Sequence, residues 1–336
     1  MCSSRRPPPS ADAMRKILLT DTDLRSFEIE AQVLNPLGAE IHLASATDEE
    51  TLIDAASDCT AIMVDRAHLS ERVIASAARG GCRAIVRYGI GYDNVDIDSA
   101  ERHGIPVANV PDYCLDEVAD HTVALLLAHA RRILEATRSV RSGRWEIPQG
   151  NVPRLAGRRL GLIGMGRIGR RVAARALAFG LVVDAYDPIM WIDAPGVNRL
   201  HSLGQLFETA DYISLHAALN DSTRHLIDAK ALGAMRRRPL LINTSRGGLV
   251  DLDAVGAALE AGILSGVALD VFETEPLPAD HPLRFNPMAI ITPHMAYYSN
   301  ESEPELVKRV AEEVARALRG EPLLNPVTTI RIARSL

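Results

Sequence analysis

Three glycines stand at positions 164, 166 and 169, in the spacing Gly-x-Gly-x-x-Gly, directly after an apolar run. Apolar residues at helical spacing follow, so the pattern predicts a strand, a tight turn and a helix. In such a turn Gly164 permits the bend, Gly166 lets a pyrophosphate approach the backbone, and Gly169 packs closely against the strand. The helix N-terminus attracts the anion. The predicted cofactor-binding residues of this turn are Gly164, Met165, Gly166, Arg167 and Ile168.

A carboxylate indicates which dinucleotide the turn binds. The next apolar run ends at Asp187, 18 residues after Gly169. A carboxylate at this point accepts hydrogen bonds from the adenosine ribose and repels a 2′-phosphate. Residues 188–190 offer no cation to such a phosphate, so the sequence favours NAD over NADP. The alternative is a turn that binds nothing, followed by a solvated aspartate at a strand end.

Short apolar runs alternate with helical patterns in both halves of the chain, which is typical of parallel sheets covered by helices. The strand candidates are residues 17–19, 61–64, 84–86, 160–163, 181–186, 212–216, 240–243, 267–271 and 290–292. A helix is predicted from about residue 116 to 138, and a last helix over 301–319. The six runs of the second half fit a doubly wound sheet. The sequence therefore predicts the α/β class.

Composition excludes several other classes of protein. Of the 336 residues, 47% are hydrophobic and 24% are charged, which is ordinary globular usage. The net charge of −6 argues against a nucleic-acid partner, and no apolar run approaches the ~18 residues of a membrane span. The four cysteines have no CxxC spacing, which favours a cytoplasmic location without disulfides or thiolate zinc. Residues 1–13 are predicted to be a disordered tail.

Three side chains with complementary chemistry each follow a strand candidate: Arg246, a glutamate at 273 or 275, and His294. The carboxyl ends of parallel strands meet at one edge of a sheet, so these residues are expected to converge. An arginine binds a carboxylate and polarises a carbonyl. A histidine protonates the resulting alkoxide, and a glutamate beside it holds the imidazolium. Together they predict keto-acid reduction, although each residue taken singly is as readily a surface ion pair or a solvated loop residue.

Ordered motifs from about residue 14 to 325 resemble the D-isomer-specific 2-hydroxyacid dehydrogenase family. The motifs are residues 89–96 (Gly-Ile-Gly-Tyr-Asp-Asn-Val-Asp), 109–111 (Asn-Val-Pro), the glycine turn, 214–216 (Ser-Leu-His), 243–247, 270–276 and 292–294. Within the family, residues 247–251 and 294–299 are most similar to the branch that contains the animal C-terminal-binding proteins. Tyr297 departs from that branch, which typically carries a tryptophan there.

The resemblance implies two Rossmann-like domains. A discontinuous, flavodoxin-like substrate domain is expected over residues 14–112 and 304–336, and an NAD-binding domain with a doubly wound parallel sheet over residues 113–303. The family commonly forms homodimers through the cofactor domain, so a homodimer is expected here.

The resemblance also implies roles for individual residues. Arg246 would bind the substrate, and Glu275, rather than Glu273, would pair with the acid/base His294. Backbone N–H groups of the loop Gly89, Ile90 and Gly91 would bind the substrate carboxylate, with Tyr297 as an aromatic wall. The remaining implied cofactor contacts are Asp187, His216, Ala217, Thr244, Ser245 and Asp270. Residues 216–220 read His-Ala-Ala-Leu-Asn instead of the more usual His-x-Pro-Leu-Thr, which leaves the details of that loop open.

The implied function is NAD-dependent interconversion of a 2-keto acid and a D-2-hydroxy acid. Two alternatives stay open: an NADH-sensing binding protein of the corepressor type, and a phosphoglycerate dehydrogenase or another enzyme with a phosphate-bearing substrate. No metal is expected. Glu117 and His121 lie four residues apart on a predicted helix, but a metal site would need a third ligand and a cavity.

Overall fold

The computed structural model describes residues 14–22, 26–147, 152–189 and 191–329. The predicted tail at 1–13 lies outside these residues. Two compact units divide the chain: unit 1 comprises residues 1–113 and 300–336, and unit 2 comprises residues 114–299. Unit 1 resumes at residue 300, whereas the sequence places the return to the first domain at residue 304. Residue 304 falls inside a helix that begins at Ser302 and packs as a whole against unit 1.

Strands and helices alternate through most of the described residues. The strands β1 to β12 are Arg15–Leu19, Ala39–Leu43, Ala61–Val64, Ile85–Arg87, Val107–Ala108, Arg159–Ile163, Val182–Tyr186, Val197–Arg199, Tyr212–Leu215, Leu240–Asn243, Gly266–Leu269 and Ala289–Ile291. The helices α1 to α11 are Glu28–Leu34, Glu49–Ala56, Glu71–Gly80, Ile97–His103, Leu115–Ala130, Ile133–Arg141, Arg167–Ala178, Leu203–Thr209, Ala229–Gly233, Leu252–Glu260 and Ser302–Leu318.

Unit 1 contains a five-stranded parallel sheet in the order β2-β1-β3-β4-β5. This is the flavodoxin-like order, in which ligands bind at the carboxyl ends of the strands. Strand β3 is apolar throughout and β1 is apolar over its last three residues, because helices cover both faces of the sheet. Leu18 and Ile62 pair across β1 and β3 and are buried. Helix α11 returns late in the chain to pack on α1, β3 and β4.

Unit 2 contains a seven-stranded parallel sheet in the order β12-β11-β10-β9-β6-β7-β8. The strand order reverses between β6 and β9, and such a reversal opens a crevice for a ligand. All residues of β9, β10 and β11 are buried. The α/β class with two parallel sheets, predicted from the sequence, is confirmed.

One sequence expectation about a single element is wrong, and three strands were missed. The helix predicted over 116–138 is two helices, because Arg132 adopts a left-handed backbone (φ +53°) between α5 and α6. Strands β2, β5 and β8 were not predicted. They lie at the edges of the two sheets, and β2 and β8 carry polar residues (Ala-Glu-Ile-His-Leu and Val-Asn-Arg). An edge strand needs no continuous apolar run, so periodicity gives no signal there.

Side-chain caps fix the starts of several helices. Aspartate carboxylates accept a hydrogen bond from the backbone N–H three residues later at the N-termini of α2, α4, α9 and α10; these residues are Asp48, Asp96, Asp228 and Asp251. Such a cap satisfies one of the N–H groups that a helix start leaves unpaired. Within the described residues, none of the helices has the length and apolar composition needed to cross a membrane.

His129 of unit 2 carries a half-buried imidazole. It lies on α5 with its ring against β11, where a Cβ added to Gly266 would come within 2.5 Å of the ring Cε1. Its Nε2 lies 3.2 Å from the hydroxyl of Ser265. Burial, together with the nearby charge of Arg132, lowers the pKa of His129 to about 4. The ring is therefore neutral in the folded protein near pH 7.

This burial predicts a pH-dependent loss of stability. An unfolded histidine has a pKa of about 6.5, so between pH 6.5 and 4 the unfolded chain binds a proton at His129 that the folded chain does not. Lowering the pH from 7.5 to 5 should therefore cost about 2 kcal/mol at this residue. We expect His129→Gln to lose less stability than the wild type over this interval, measured by thermal unfolding. His201→Gln, on the exposed surface of unit 2, controls for the loss of an imidazole. Equal pH slopes in the wild type and His129→Gln would contradict this expectation.

Candidate active site

The glycine turn joins β6 to α7, where the strand order of unit 2 reverses. Gly164 has φ +102°, and a Cβ there would lie 2.5 Å from the main-chain oxygen of His216. At Gly169, in the first turn of α7, a Cβ would lie 2.2 Å from the carbonyl oxygen of Gly164. Packing alone therefore requires glycine at both positions.

Gly166 has no such packing reason to be glycine. It precedes the first residue of α7, and nothing lies within 4 Å of the place that its Cβ would occupy. An open backbone beside the first N–H groups of a 12-residue helix suits an anion. The residues of the turn, which include Arg167 and Ile168 at the start of α7, therefore fit the pyrophosphate of a dinucleotide.

Asp187 lies beside this turn at the end of β7. One carboxylate oxygen accepts a hydrogen bond from the N–H of Met165 at 2.8 Å, and the other accepts one from the N–H of Ile189 at 2.9 Å. The carboxylate is thereby fixed next to the glycine turn. The contact of this carboxylate with the adenosine ribose stays a prediction.

The side chain of His216 is buried behind the turn. Its Nε2 lies 2.9 Å from the hydroxyl of Ser214, and burial lowers the pKa of His216 to about 4. Its Nδ1 has no hydrogen-bond partner within the described residues. His216 therefore supports the turn through its backbone and a neutral ring, and Ala217 continues the loop after β9.

Residues 243–246 form a tightly hydrogen-bonded turn after β10. The Asn243 amide donates to the carbonyl of Arg246 at 2.8 Å and accepts from the N–H of Ser245 at 3.0 Å. The Thr244 hydroxyl lies 2.8 Å from that of Thr122 on α5. The guanidinium of Arg246 is half-buried, and its Nη1 donates to the Ser245 carbonyl at 2.8 Å. These bonds hold Arg246 at the carboxyl edge of the sheet.

His294 and Glu275 are in direct contact. The Nδ1 of His294 lies 2.7 Å from an oxygen of Glu275, whose other oxygen accepts the N–H of Phe272 at 2.9 Å. Both side chains are partly exposed, at 28% for the histidine and 22% for the glutamate. Because Nδ1 faces the glutamate, Nε2 is the ring nitrogen left to meet a substrate. A histidine held by a carboxylate in this way has the arrangement of a general acid/base.

The neighbouring Glu273 has different partners. Its carboxylate lies 2.9 Å from the Nε2 of His225 and 3.5 Å from the guanidinium of Arg224. Of the two glutamates that the sequence offers, Glu275 is the one in contact with His294, in agreement with the choice that the resemblance implies.

Asp270 holds the loop that carries His294. Its buried carboxylate accepts hydrogen bonds from the Thr292 hydroxyl at 2.5 Å and from the N–H groups of Met295 at 3.0 Å and Ala296 at 2.9 Å. Its carbonyl accepts the N–H of His294 at 2.8 Å. The sequence did not predict that Asp270 holds the histidine loop, because no local pattern indicates these hydrogen bonds. The contact of Asp270 with a nicotinamide carboxamide stays a prediction.

His121 belongs to the same network, another contact that the sequence did not reveal. Its Nε2 lies 3.1 Å from the Thr292 hydroxyl and 3.7 Å from a carboxylate oxygen of Asp270. Glu117, the other candidate on this helix, instead accepts from the Ser299 hydroxyl at 3.0 Å. No group of three or more His, Cys, Asp or Glu residues is placed to hold a metal within the part of the chain that the structure describes.

Tyr297 lies edge-to-face with His294, with ring centroids 6.3 Å apart and planes at 79°. In unit 1, the Gly89–Gly91 loop follows β4. Gly89 has φ +128°, and a Cβ there would lie 1.9 Å from the guanidinium of Arg87. The positive φ favours glycine at this bend, and the loop stands at the carboxyl edge of the unit 1 sheet, where ligands of such sheets bind.

Known proteins match this chain over most of its length. A family model described as "D-isomer specific 2-hydroxyacid dehydrogenase, NAD binding domain" matches residues 123–296. The glyoxylate reductase of Korarchaeum cryptofilum is 38% identical over 282 residues, which cover 81% of this chain and 84% of that protein. The D-3-phosphoglycerate dehydrogenase of Methanocaldococcus jannaschii is 36% identical over 318 residues. That match covers 94% of this chain, which spans only 59% of the length of that relative.

The solved structures include a similar two-domain enzyme. The NADPH-dependent glyoxylate/hydroxypyruvate reductase of Sinorhizobium meliloti, crystallised with NADP and malonate, superposes with a TM-score of 0.86 at 28% identity. The superposition covers 96% of this chain and all of that chain.

The geometry of the glycine turn predicts a substitution that separates binding from folding. Gly166→Val adds a side chain to open space, so the fold should persist while the new methyl groups occupy the pyrophosphate position. We expect the Kd for NADH, measured by nicotinamide fluorescence, to rise more than about tenfold, equivalent to ~1.4 kcal/mol. Gly256→Val in α10, also surrounded by open space, should leave the Kd unchanged. Tight NADH binding by Gly166→Val would contradict the assignment of the turn.

Proposed function

This chain belongs to the D-isomer-specific 2-hydroxyacid dehydrogenase family, and we propose that it interconverts a 2-keto acid and a D-2-hydroxy acid with NAD. The contact of 2.7 Å between His294 and Glu275 carries the proposal. It lies in the same unit as a glycine turn with room for a pyrophosphate. Hydride transfer to a carbonyl requires a bound nicotinamide and a group that donates a proton, and this unit offers a dinucleotide-binding turn and an acid/base pair.

In the proposed reaction the nicotinamide of bound NADH supplies the hydride. The guanidinium of Arg246 binds the substrate carboxylate and polarises the carbonyl. His294 donates its Nε2 proton to the oxygen as the carbonyl is reduced. Glu275 accepts a hydrogen bond from the Nδ1–H of His294 and stabilises the imidazolium before the Nε2 proton is transferred. In the reverse direction the same histidine accepts the proton of the hydroxy acid.

A loop of unit 1 offers neutral hydrogen-bond donors to a keto acid. The N–H groups of Ile90 and Gly91 bind the substrate carboxylate. The N–H of Gly89, which the resemblance also implied as a donor, instead donates to the carbonyl of Arg87 at 3.0 Å. In unit 2, Tyr297 forms an aromatic wall for the substrate side chain. Its hydroxyl favours a more polar group than the tryptophan of the C-terminal-binding branch would.

The proposed cofactor is NAD rather than NADP. Asp187, fixed by two backbone N–H groups beside the turn, puts negative charge where a 2′-phosphate would have to lie. Thr244, Ser245 and Ala217 line the cofactor, and Asp270 contacts the carboxamide while it holds the histidine loop.

The first test is NADH oxidation, followed at the nicotinamide absorbance, against a panel of 2-keto acids. The panel includes glyoxylate, hydroxypyruvate, 3-phosphohydroxypyruvate, and keto acids with methylthio and aromatic side chains. We expect turnover with one chemical class and a lower kcat/KM with NADPH. Preference for the phosphorylated keto acid would indicate a phosphoglycerate dehydrogenase. Tight NADH binding without turnover of any keto acid would contradict the proposal, and NADH-dependent protein binding would then favour the corepressor-type alternative.

Two glutamates two residues apart make a matched pair for testing the acid/base role. His294→Ala should lower kcat by about 10²–10⁴-fold, the usual contribution of general acid/base catalysis. Glu275→Gln should also lower kcat, because it removes the charge that stabilises the imidazolium. Glu273→Gln, whose carboxylate faces His225 and Arg224, should change kcat less than about threefold, with NADH binding retained in all three variants. Near-normal turnover by His294→Ala would show that another group donates the proton.

We also propose that the protein is a cytoplasmic homodimer. An exposed apolar stretch on unit 2 supports this proposal, because a second copy of the chain would cover it. The stretch consists of Ile133, Leu134 and Val140 of α6, Trp145 and Ile147. Trp145 is 89% exposed and Ile147 83% exposed, and apolar groups concentrated in this way mark interaction surfaces. Cys59, Cys82 and Cys114 form no disulfide within the described residues, which agrees with a reducing compartment.

The dimer is tested by mass in solution. Light scattering after size exclusion should give twice the 36.5 kDa of the chain. Trp145→Glu should shift the mass toward the monomer, because it puts a charge in the apolar contact. Phe285→Glu, at another exposed aromatic residue of unit 2, should leave the dimer intact. A monomeric wild-type protein would rule the proposal out.

A further inference from the structure

Two peptide groups of the Gly89–Gly91 loop are held from the same side. The carbonyl of Gly89 accepts a hydrogen bond from the N–H of Val110 at 3.0 Å. The carbonyl of Ile90 accepts one from the side-chain amide of Asn109 at 2.6 Å. In a trans peptide the N–H points opposite to the carbonyl of the same plane. The N–H groups of Ile90 and Gly91 therefore both point away from segment 109–110.

These two N–H groups form a small site for an anion. Neither donates a hydrogen bond to any residue in the described part of the chain. Neighbouring backbone N–H groups that point the same way attract a carboxylate or another oxyanion. Val110 fixes the first peptide plane through its backbone, whereas the second plane depends on one side chain, Asn109. Gly91 has no Cβ to restrain that plane, since glycine populates both signs of φ.

Asn109 is itself held by the C-terminal part of unit 1. It is 6% exposed, and its N–H donates to the carbonyl of Asn325 at 3.3 Å. Asn325 donates in turn from its backbone at 3.0 Å and from its side chain at 3.3 Å to a carboxylate oxygen of Glu313 on α11. Glu313 is buried and also accepts the N–H of Leu324. A continuous hydrogen-bond chain thus joins the last helix to the Ile90 carbonyl.

We propose that Asn109 is a positioning residue for substrate binding: its side-chain amide fixes the Ile90–Gly91 peptide so that the Gly91 N–H meets the substrate carboxylate. This rests on the proposed function, in which that loop binds the keto acid. Asn109 acts through the loop and takes no part in the proton or hydride transfer. Its loss should therefore raise the KM for the keto acid and leave kcat and NADH affinity nearly unchanged, the pattern of a binding interaction made equally in the ground state and the transition state.

The experiment compares Asn109→Asp and Asn109→Ala with the wild type. An aspartate carboxylate of the same shape cannot donate to the Ile90 carbonyl and repels its oxygen, so the peptide plane is free to turn. Alanine removes the donor without the repulsion. Ser76→Ala is the matched control, because Ser76 is also buried in unit 1 and donates to a main-chain carbonyl, that of Ile53 at 2.9 Å. Thermal unfolding shows that each variant is folded.

Two readouts are measured with saturating NADH. The first is KM and kcat for glyoxylate, or for the keto acid of the panel with the highest wild-type turnover. The second is the Kd of oxamate, an unreactive analogue with the same carboxylate and carbonyl, by quenching of nicotinamide fluorescence. Loss of one hydrogen bond to a charged group corresponds to about a tenfold effect. We expect KM and the oxamate Kd to rise about tenfold or more in Asn109→Asp, less in Asn109→Ala, and not at all in Ser76→Ala.

The outcomes separate this inference from the proposed function. One outcome is that the wild type turns over a keto acid while the KM and the oxamate Kd of Asn109→Asp stay within about twofold of the wild-type values. That result would leave the proposed function standing and overturn this inference. A fall in kcat at unchanged KM would also overturn it, because it would place Asn109 in the chemical step. Absence of any keto-acid turnover or oxamate binding in the wild type would overturn the proposed function, and this inference with it.

Discussion

The geometry of the candidate active site in unit 2 depends on the buried carboxylate of Asp270. A carboxylate out of water is tolerated only when donors satisfy it, and here the Thr292 hydroxyl and two backbone N–H groups do so. Those donors lie on both sides of His294 in the sequence, so the loop that carries the histidine wraps around the carboxylate. His294 has φ +51°, a left-handed backbone that is uncommon for a side chain with a Cβ. The network around Asp270 offsets the cost of that conformation, and Glu275 then needs only to orient the ring.

Local rules predicted most of the fold and the place of the candidate site. The glycine turn, Asp187, Arg246 and His294 were found because each follows an apolar strand, and the carboxyl ends of parallel strands share one edge of a sheet. The rule failed where an element lacks a buried apolar run, as in edge strands β2 and β8. It also failed at Arg132, where a left-handed residue divides one predicted helix into two.

The supporting contacts lay beyond the reach of sequence reasoning for a different reason. Asp270 and Ala296 are 26 residues apart, and His121 and Thr292 are 171 apart. A hydrogen bond at such a separation leaves no periodicity in the sequence, since it depends on how strands and helices meet in three dimensions. The same holds for Asn109 and Ile90, whose motifs were each recognised while the bond between them was not. Residue types at strand ends could therefore be predicted, and the polar groups that orient them could not.

Both units fix their functional groups in the same physical way. In unit 2 a carboxylate binds backbone N–H groups and thereby aims a histidine. In unit 1 a side-chain amide and a backbone N–H bind two carbonyls and thereby aim the N–H groups on the far side of the same peptide planes. The functional groups differ, one a titratable ring and the other a pair of neutral donors. In each case a polar side chain buried beneath the loop replaces the packing that a core residue would supply. Such a residue acts on orientation over a few tenths of an ångström, so its loss should change binding or rate before it changes the fold.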